Sequence, residues 1–101
     1  MTLDEATLKA AHKHSIRHQT EVMASESCGC FYCRAVFRPG EILDWVDELT
    51  GNADGEDTAL CPKCGIDSVI GDRSGYSVTT PDFLAAMHAY WFERTVYVEY
   101  Q

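Results

Sequence analysis

The chain has 101 residues, with 16 acidic and 8 basic side chains and a formal net charge of −8 at pH 7. No apolar run approaches the roughly 20 residues of a membrane-spanning helix, and the acidic start lacks the apolar segment of a secretory signal. Five cysteines without an export signal favour the cytoplasm, where paired cysteines hold metal more often than they form disulfides.

The charge is unevenly distributed along the chain. Residues 1–38 carry five basic and four acidic side chains, whereas residues 39–101 carry three basic and twelve acidic ones. A domain that grips the phosphate backbone of a nucleic acid normally needs a basic surface. The charge therefore argues against a nucleic-acid partner, although a local basic strip remains at Lys9, Lys13, Arg17, Arg34 and Arg38.

Residues 3–24 have the pattern of one helix. Thr2 and Glu5 have the spacing of a capping box, and acidic residues fill the first turn. The side of this helix that would face the core is formed by Leu8, Ala11, Ser15, Val22 and Met23.

His14 and His18 lie four residues apart in the same segment, so both rings could reach one metal ion or one substrate. Ser15 and Glu21 could contribute oxygen atoms there. The alternative is that both histidines are surface or packing residues.

Two C-x2-C pairs carry the strongest signal in the chain. Each pair lets two sulfurs of one tight turn face the same point, and two such turns complete the tetrahedral four-sulfur site that Zn²⁺ prefers. We therefore predict one structural zinc ion, favoured over iron, with the ligands Cys30, Cys33, Cys61 and Cys64. Cys28 is an extra thiol that we expect outside this site, because Cys28 and Cys30 are one residue too close for the same turn.

Short strands are expected around both turns, at 35–37, 58–60 and 68–70. Between the turns, Pro39 and Gly40 precede a predicted second helix over residues 41–49. Its apolar residues recur at helical spacing: Ile42, Trp45, Val46 and Leu49. Residues 41–57 contain seven acidic and no basic residues, and we expect an interaction face at Glu41, Asp44, Asp47 and Glu48.

Thr80 and Pro81 suit the N-cap and first position of a third helix, which we expect to continue to about Arg94. The alternation over 95–100 predicts a terminal strand. Helix three should supply the main apolar wall, with Met87 packed against Ile42 and Trp45. The wall residues are Phe83, Leu84, Met87, Tyr90 and Trp91.

The predicted fold class is α+β: a small zinc-ribbon-like antiparallel β unit with about three helices. We expect residues 1–101 to form a single zinc-binding domain. Its parts are an N-terminal helix (1–27), the paired C-x2-C unit (28–72) and a C-terminal helix and strand (73–101).

The chain resembles a group of small bacterial cytoplasmic proteins in the segments CGCFYC, FRPGEILDWVDE, TALCPKCGIDSVIGD and FLAAMHAYWF. The resemblance covers residues 14–92, and the group brings no assigned activity. It implies a bacterial or phage origin, a cytosolic location and a zinc site at the paired C-x2-C turns.

More distantly, the two turns are similar to those of rubredoxins and zinc ribbons. Arg34 stands where rubredoxins have a glycine, which argues against an iron electron-transfer role. The chain also looks like a treble-clef or HNH scaffold, but no histidine lies between Cys33 and Cys61 to activate water.

The sequence favours a non-catalytic interaction module that binds zinc and meets a protein partner through its acidic residues. The first alternative is a metal-dependent or histidine-assisted enzyme that uses His14 and His18. A further alternative is a thiol redox protein, because CPKC resembles the C-P-x-C motif of glutaredoxins, in which a helix N-terminus lowers a thiol pKa.

Overall fold

Three α-helices and two small antiparallel sheets make up the described structure, which covers residues 4–46 and 57–93 of a computed structural model. The helices are α1 (Glu5–His12), α2 (Gln19–Met23) and α3 (Pro81–His88). The strands are β1 (Cys28–Cys30), β2 (Val36–Phe37), β3 (Trp45–Val46), β4 (Thr58–Ala59) and β5 (Val69–Gly71). One sheet has the strand order β2-β1-β5, and the other pairs β3 with β4. The predicted α+β class is confirmed.

The N-terminal segment is not the single helix that residues 3–24 predicted. Asp4 caps α1 by accepting the N–H of Thr7 at 2.9 Å, so the cap is not Thr2, which lies outside the described residues. A 3-10 turn (Lys13–Ser15) follows α1, and Arg17 then takes a positive φ of 50° before α2 begins.

Contacts with a distant strand explain this break. The N–H of Arg17 donates to Thr58 Oγ1 at 2.7 Å, and the N–H of His18 donates to the carbonyl of Asp57 at 3.1 Å. These two groups therefore leave the helical ladder for partners near β4. The break also turns Met23 outward, where it is 54% exposed rather than part of the core.

The predicted helix over 41–49 is wrong in its described part. Pro39–Glu41 form a 3-10 turn, and the chain then extends into β3. Trp45 pairs with Ala59, so strand pairing overrides the helical spacing of the apolar residues. Residues 47–49 lie outside the described residues.

Helix α3 begins where the sequence indicated. Thr80 Oγ1 accepts the N–H of Phe83 at 3.4 Å, and Pro81 occupies the first helical position. The α-helix ends at His88 and continues as a π-helical turn (Ala89–Glu93). Arg94 and the predicted strand over 95–100 lie outside the described residues.

Two groups of buried side chains lie on opposite faces of the β2-β1-β5 sheet. Ile70 and Val69 are neighbours on β5, and they point to different groups because side chains alternate along a strand. The first core cluster is Leu8, Ala11, Phe31, Ile70, Val78, Phe83, Leu84 and Met87. The second core cluster is Val22, Cys28, Cys30, Phe37, Ile42, Ala59, Cys61 and Val69.

This division corrects the predicted packing of α3. Met87 is fully buried in the first core cluster, whereas Ile42 belongs to the second and Trp45 packs against the second. The β2-β1-β5 sheet therefore lies between Met87 and its predicted partners Ile42 and Trp45. Tyr90 and Trp91 are partly buried against the first core cluster.

Within residues 4–46 and 57–93, the helices are all too short or too polar to cross a bilayer.

Candidate metal centre

The first C-x2-C turn follows directly from β1. The N–H of Cys30 donates to the carbonyl of Ala35 at 3.0 Å, and the N–H of Arg34 donates to the carbonyl of Cys30 at 2.7 Å. Arg34 takes a left-handed φ of 66° to close this turn. The position after the cysteine pair therefore has the conformation that glycine usually supplies, although the residue is arginine.

The second turn repeats this geometry. The N–H of Cys61 donates to the carbonyl of Ile66 and the N–H of Gly65 donates to the carbonyl of Cys61, both at 2.9 Å. Gly65 has a φ of 82°, in the same left-handed region as Arg34. The two turns are thus equivalent in their backbone hydrogen bonds, residue for residue.

Backbone N–H groups point at the sulfurs of both turns. In the second turn, the N–H of Lys63 donates to Cys61 Sγ at 3.3 Å and the N–H of Ile66 donates to Cys64. In the first turn, Tyr32 and Cys33 donate to Cys30, and Ala35 donates to Cys33. Such N–H groups stabilise the thiolate form, which is the form that binds metal.

The four sulfurs form one compact group. Cys30 and Cys64 are 3.7 Å apart between their Sγ atoms, and so are Cys33 and Cys61, so each short distance joins the two turns. All four Sγ atoms lie within 4.8 Å of one another. A tetrahedral ion with metal–sulfur bonds of about 2.3 Å has ligand sulfurs about 3.8 Å apart. The arrangement is therefore compatible with a metal ion at its centre.

The environment of the sulfurs favours a bound cation. Burial raises the pKa of Cys30 and of Cys64, although backbone N–H groups oppose this at both residues. At Cys33, the effect of burial is outweighed by the N–H of Ala35 and the neighbouring thiols, and its pKa is lowered. A buried thiolate such as Cys30 is stable only beside a positive charge, which a divalent ion would supply.

Cys28 lies outside the four-sulfur group. It sits two residues before Cys30 on the same face of β1 and is fully buried in the second core cluster. Burial, with a smaller contribution from Asp72, raises its pKa to about 12. Such a thiol stays protonated at neutral pH and acts as a small packing residue.

The ring of His18 links two distant segments of the backbone through hydrogen bonds. Its Nδ1 donates to the carbonyl of His14 at 2.5 Å, and its Nε2 accepts the N–H of Ala59 at 3.0 Å, which fixes a neutral tautomer. The ring is 4% exposed. Both ring nitrogens thus have backbone partners, so His18 is poorly placed to bind a metal ion or transfer a proton.

His14 has a different environment. Its Nδ1 donates to the carboxylate of Glu21, 3.0 Å from Oε1 and 3.1 Å from Oε2, and its ring meets the edge of Tyr76. The ring is partly exposed at the wall of a cleft that His18 also lines. The predicted Ser15 is buried and donates to the carbonyl of His12, so it contributes no oxygen to this pair.

The acidic face is described only in part. Glu41 and Asp44 are exposed, and Asp47 and Glu48 lie outside the described residues. Glu41 accepts the N–H of Arg38 at 2.9 Å and lies 3.3 Å from Lys63 Nζ. These two contacts, in that order, lower the pKa of Glu41.

The CPKC motif lacks the helix that glutaredoxin-type chemistry requires. Residues 62–64 form a turn, and the chain continues without a helix to β5. Cys61 and Cys64 instead face the sulfurs of the first turn.

Sequence reasoning missed the cleft beside His14. It brings Lys13 and Arg17 together with Arg73, which lies about sixty residues further along the chain. The recurrence of Lys9, Lys13 and Arg17 every four residues indicated a basic strip on one side of the helix. No pattern in the sequence near those residues indicated that Arg73 would lie beside them.

No protein-family model, curated protein or solved structure matches this chain.

Proposed function

We propose that the chain is a non-catalytic zinc-binding module that interacts with a protein partner. The observation that supports it most directly is the four-sulfur geometry, with distances of 3.7 Å across the two turns against about 3.8 Å for tetrahedral zinc. Four thiolates fill every position of a tetrahedral ion. Closed sites of this kind are structural, whereas catalytic zinc keeps one position for water or substrate.

The positions of the two turns also support a structural role. The first joins β1 to β2, and the second lies between β4 and β5. A zinc ion at the four sulfurs would fasten these parts of the chain to each other. The free energy of metal binding would then add to the free energy of folding.

Elemental analysis of the purified protein tests the metal assignment. We expect about one zinc per chain in the wild type and in Cys28→Ser, because Cys28 lies outside the sulfur group. Cys61→Ser should lose the zinc and be less stable by several kcal/mol. Loss of zinc from Cys28→Ser, or a fully folded protein after complete metal removal, would contradict the proposal.

The interaction role is supported by charge. The seven acidic residues between 41 and 57 have no basic residue among them, so a partner with a basic surface would be attracted to this segment. Exposed charges contribute to the rate and specificity of association more than to folding.

A charge-reversal variant tests this role. We expect Asp44→Lys/Asp47→Lys/Glu48→Lys to keep its zinc but to lose capture of a partner from a bacterial lysate. The matched control is Glu26→Lys/Asp67→Lys/Glu93→Lys, which makes the same change in net charge at exposed positions elsewhere. Equal loss of capture in both variants would indicate a general charge effect and contradict an acidic docking face. His14→Ala should capture normally, because His14 lies outside the acidic segment 41–57. The enzyme alternative predicts instead that this substitution removes the function.

A further inference from the structure

A cleft of about 590 Å³ opens beside the break between α1 and α2. This volume lies within the roughly 300–1,000 Å³ of small-molecule sites. The cleft contains none of the cysteines, and its walls come from the Lys13–Ser15 turn, from α2 and from the Asp72–Ser74 turn. The polar residues that line it are Lys13, His14, Arg17, His18, Thr20, Glu21 and Arg73.

Positive charge is concentrated here in a chain that is acidic as a whole. Lys13, Arg17 and Arg73 are three of the eight basic residues, and they share the cleft with one carboxylate, Glu21. That carboxylate already accepts a hydrogen bond from His14. Within the part of the chain that the structure describes, Lys13 and Arg73 form no ion pair with a carboxylate.

The main chain of two of these basic residues is fixed by hydrogen bonds, which places their side chains at the cleft. The N–H of Arg73 donates to Ser25 Oγ at 3.0 Å, and the carboxylate of Asp72 accepts the N–H groups of Glu26 and Ser27. These bonds fix the Asp72–Ser74 turn against the end of α2. Arg17 is fixed by its N–H bond to Thr58 Oγ1.

The backbone at Arg17 is also in an unfavourable conformation. Its φ of 50° is left-handed, which costs a non-glycine residue about 1 kcal/mol or more. Strain of this kind is concentrated at functional sites, where the surrounding structure maintains it. Here the strained position places Arg17 at the cleft wall instead of continuing the helix.

The His14 ring adds a hydrogen-bonding group of fixed orientation to the cleft. Because its Nδ1–H donates to Glu21, the ring orientation is fixed and Nε2 is the remaining ring nitrogen. Protonated at Nε2, the ring would be a hydrogen-bond donor to an anion. The edge contact with Tyr76 supports the ring from a second side.

We propose that this cleft binds a small phosphorylated molecule, with Lys13, Arg17 and Arg73 contacting the phosphate group and His14 donating to it. Three cations suit a dianionic phosphate better than a single carboxylate, and guanidinium groups match phosphate oxygens in a paired geometry. The ligand is small because the net charge of −8 would repel a long nucleic acid wherever it extended beyond the cleft.

Titration calorimetry of the zinc-loaded protein tests the proposal, with inorganic phosphate, adenosine monophosphate and a single-stranded oligonucleotide as probes. We expect saturable binding of phosphate and of the monophosphate below about 10 mM. Tighter binding of the monophosphate would identify a nucleotide-like ligand, and equal binding would identify the phosphate group alone as the recognised feature.

Variants locate the site. Arg73→Gln and Lys13→Gln should each weaken phosphate binding by about tenfold or more, as expected for losing a charge-assisted hydrogen bond. Arg38→Gln is the matched control, since it removes an exposed cation outside the cleft, and it should change the affinity less than about twofold. All three variants should keep one zinc per chain, so this test is independent of the metal site.

Three results would overturn the proposal. The first is no saturable binding of either small probe, and the second is equal weakening by Arg38→Gln and Arg73→Gln. The third is binding of the oligonucleotide alone with a steep salt dependence, which would assign the basic residues to a nucleic acid instead.

Discussion

The residue after each cysteine pair takes a left-handed backbone conformation, with φ of 66° at Arg34 and 82° at Gly65. The conformation lets the N–H of that residue reach the carbonyl of the first cysteine and close the turn. Glycine adopts this region freely, whereas a side chain there costs about 1 kcal/mol or more. The first turn therefore carries strain that the second turn avoids.

Gly65→Ala should lower the free energy of unfolding by about 1 kcal/mol, because alanine is disfavoured at a φ of 82°. Gly40→Ala is the matched control: a Cβ added at either position would meet nothing within 4 Å, and only Gly65 has a positive φ. The control should be neutral or slightly stabilising. Denaturant unfolding of the zinc-loaded proteins measures both, and equal effects would rule out backbone strain as the cause.

Among the elements, strand β4 decides the structure of two other segments. Thr58 and Ala59 are fully buried and pair with Val46 and Trp45. The same two residues bind the break between α1 and α2 through Thr58 Oγ1 and the N–H of Ala59. Because of its contacts, the segment predicted as a helix over 41–49 forms strand β3, and the helix predicted over 3–24 breaks at Arg17. Tertiary contacts outweigh intrinsic helix propensity in both segments.

His18→Ala should destabilise the protein by at least about 2 kcal/mol, since it leaves the carbonyl of His14 and the buried N–H of Ala59 without their ring partner. His14→Ala should cost less than about 1 kcal/mol, because the His14–Glu21 pair is partly exposed. Thermal or denaturant unfolding compares the two variants. A loss at His18 of less than about 1 kcal/mol would contradict the structural role assigned to its ring.

Helix α3 contributes its buried face to the first core cluster alone. Met87→Ala should therefore cost roughly 2–5 kcal/mol, as for other fully buried side chains. The same substitution at Met23, which is 54% exposed, should change stability by less than about 0.5 kcal/mol. A small effect at Met87, measured by chemical denaturation, would show that this face of α3 is not part of the core.

At the scale of the whole molecule, the four-sulfur group adjoins the second core cluster and is linked to the first through the chain. Cys30 and Cys61 belong to the second cluster, whereas Phe31, the next residue after Cys30, belongs to the first. The β2-β1-β5 sheet connects the clusters through β1, which ends at Cys30. Loss of the proposed zinc ion should therefore disturb both clusters.

The two tryptophans can report on the clusters separately, because Trp91 packs against the first and Trp45 against the second. We expect Trp45→Phe and Trp91→Phe proteins to lose their native fluorescence at the same chelator concentration, as in a cooperative two-state transition. Readdition of zinc should restore both signals together. If the Trp91 signal persisted after that of Trp45 was lost, the first cluster would be folding without the metal centre.

The candidate metal centre was largely predictable from the sequence, because a C-x2-C turn is a local structure. The spacing alone indicated that Cys30, Cys33, Cys61 and Cys64 would face each other, and the structure brings these sulfurs together. The cleft was not predictable, since Arg73 joins Lys13 only after α2 packs near the Asp72–Ser74 turn.

The sequence by itself determined the α+β class, the strand after the first cysteine turn, the strands on either side of the second turn and the start of α3, because turns and caps depend on residues adjacent in the chain. Only the tertiary structure decided the break at Arg17, the strand at Trp45 and the cluster that receives Met87. The N–H of Arg17 finds its acceptor 41 positions away, at Thr58. Hydrophobic spacing defines the apolar side of a segment, but such distant partners decide whether the segment remains a helix and which core it joins.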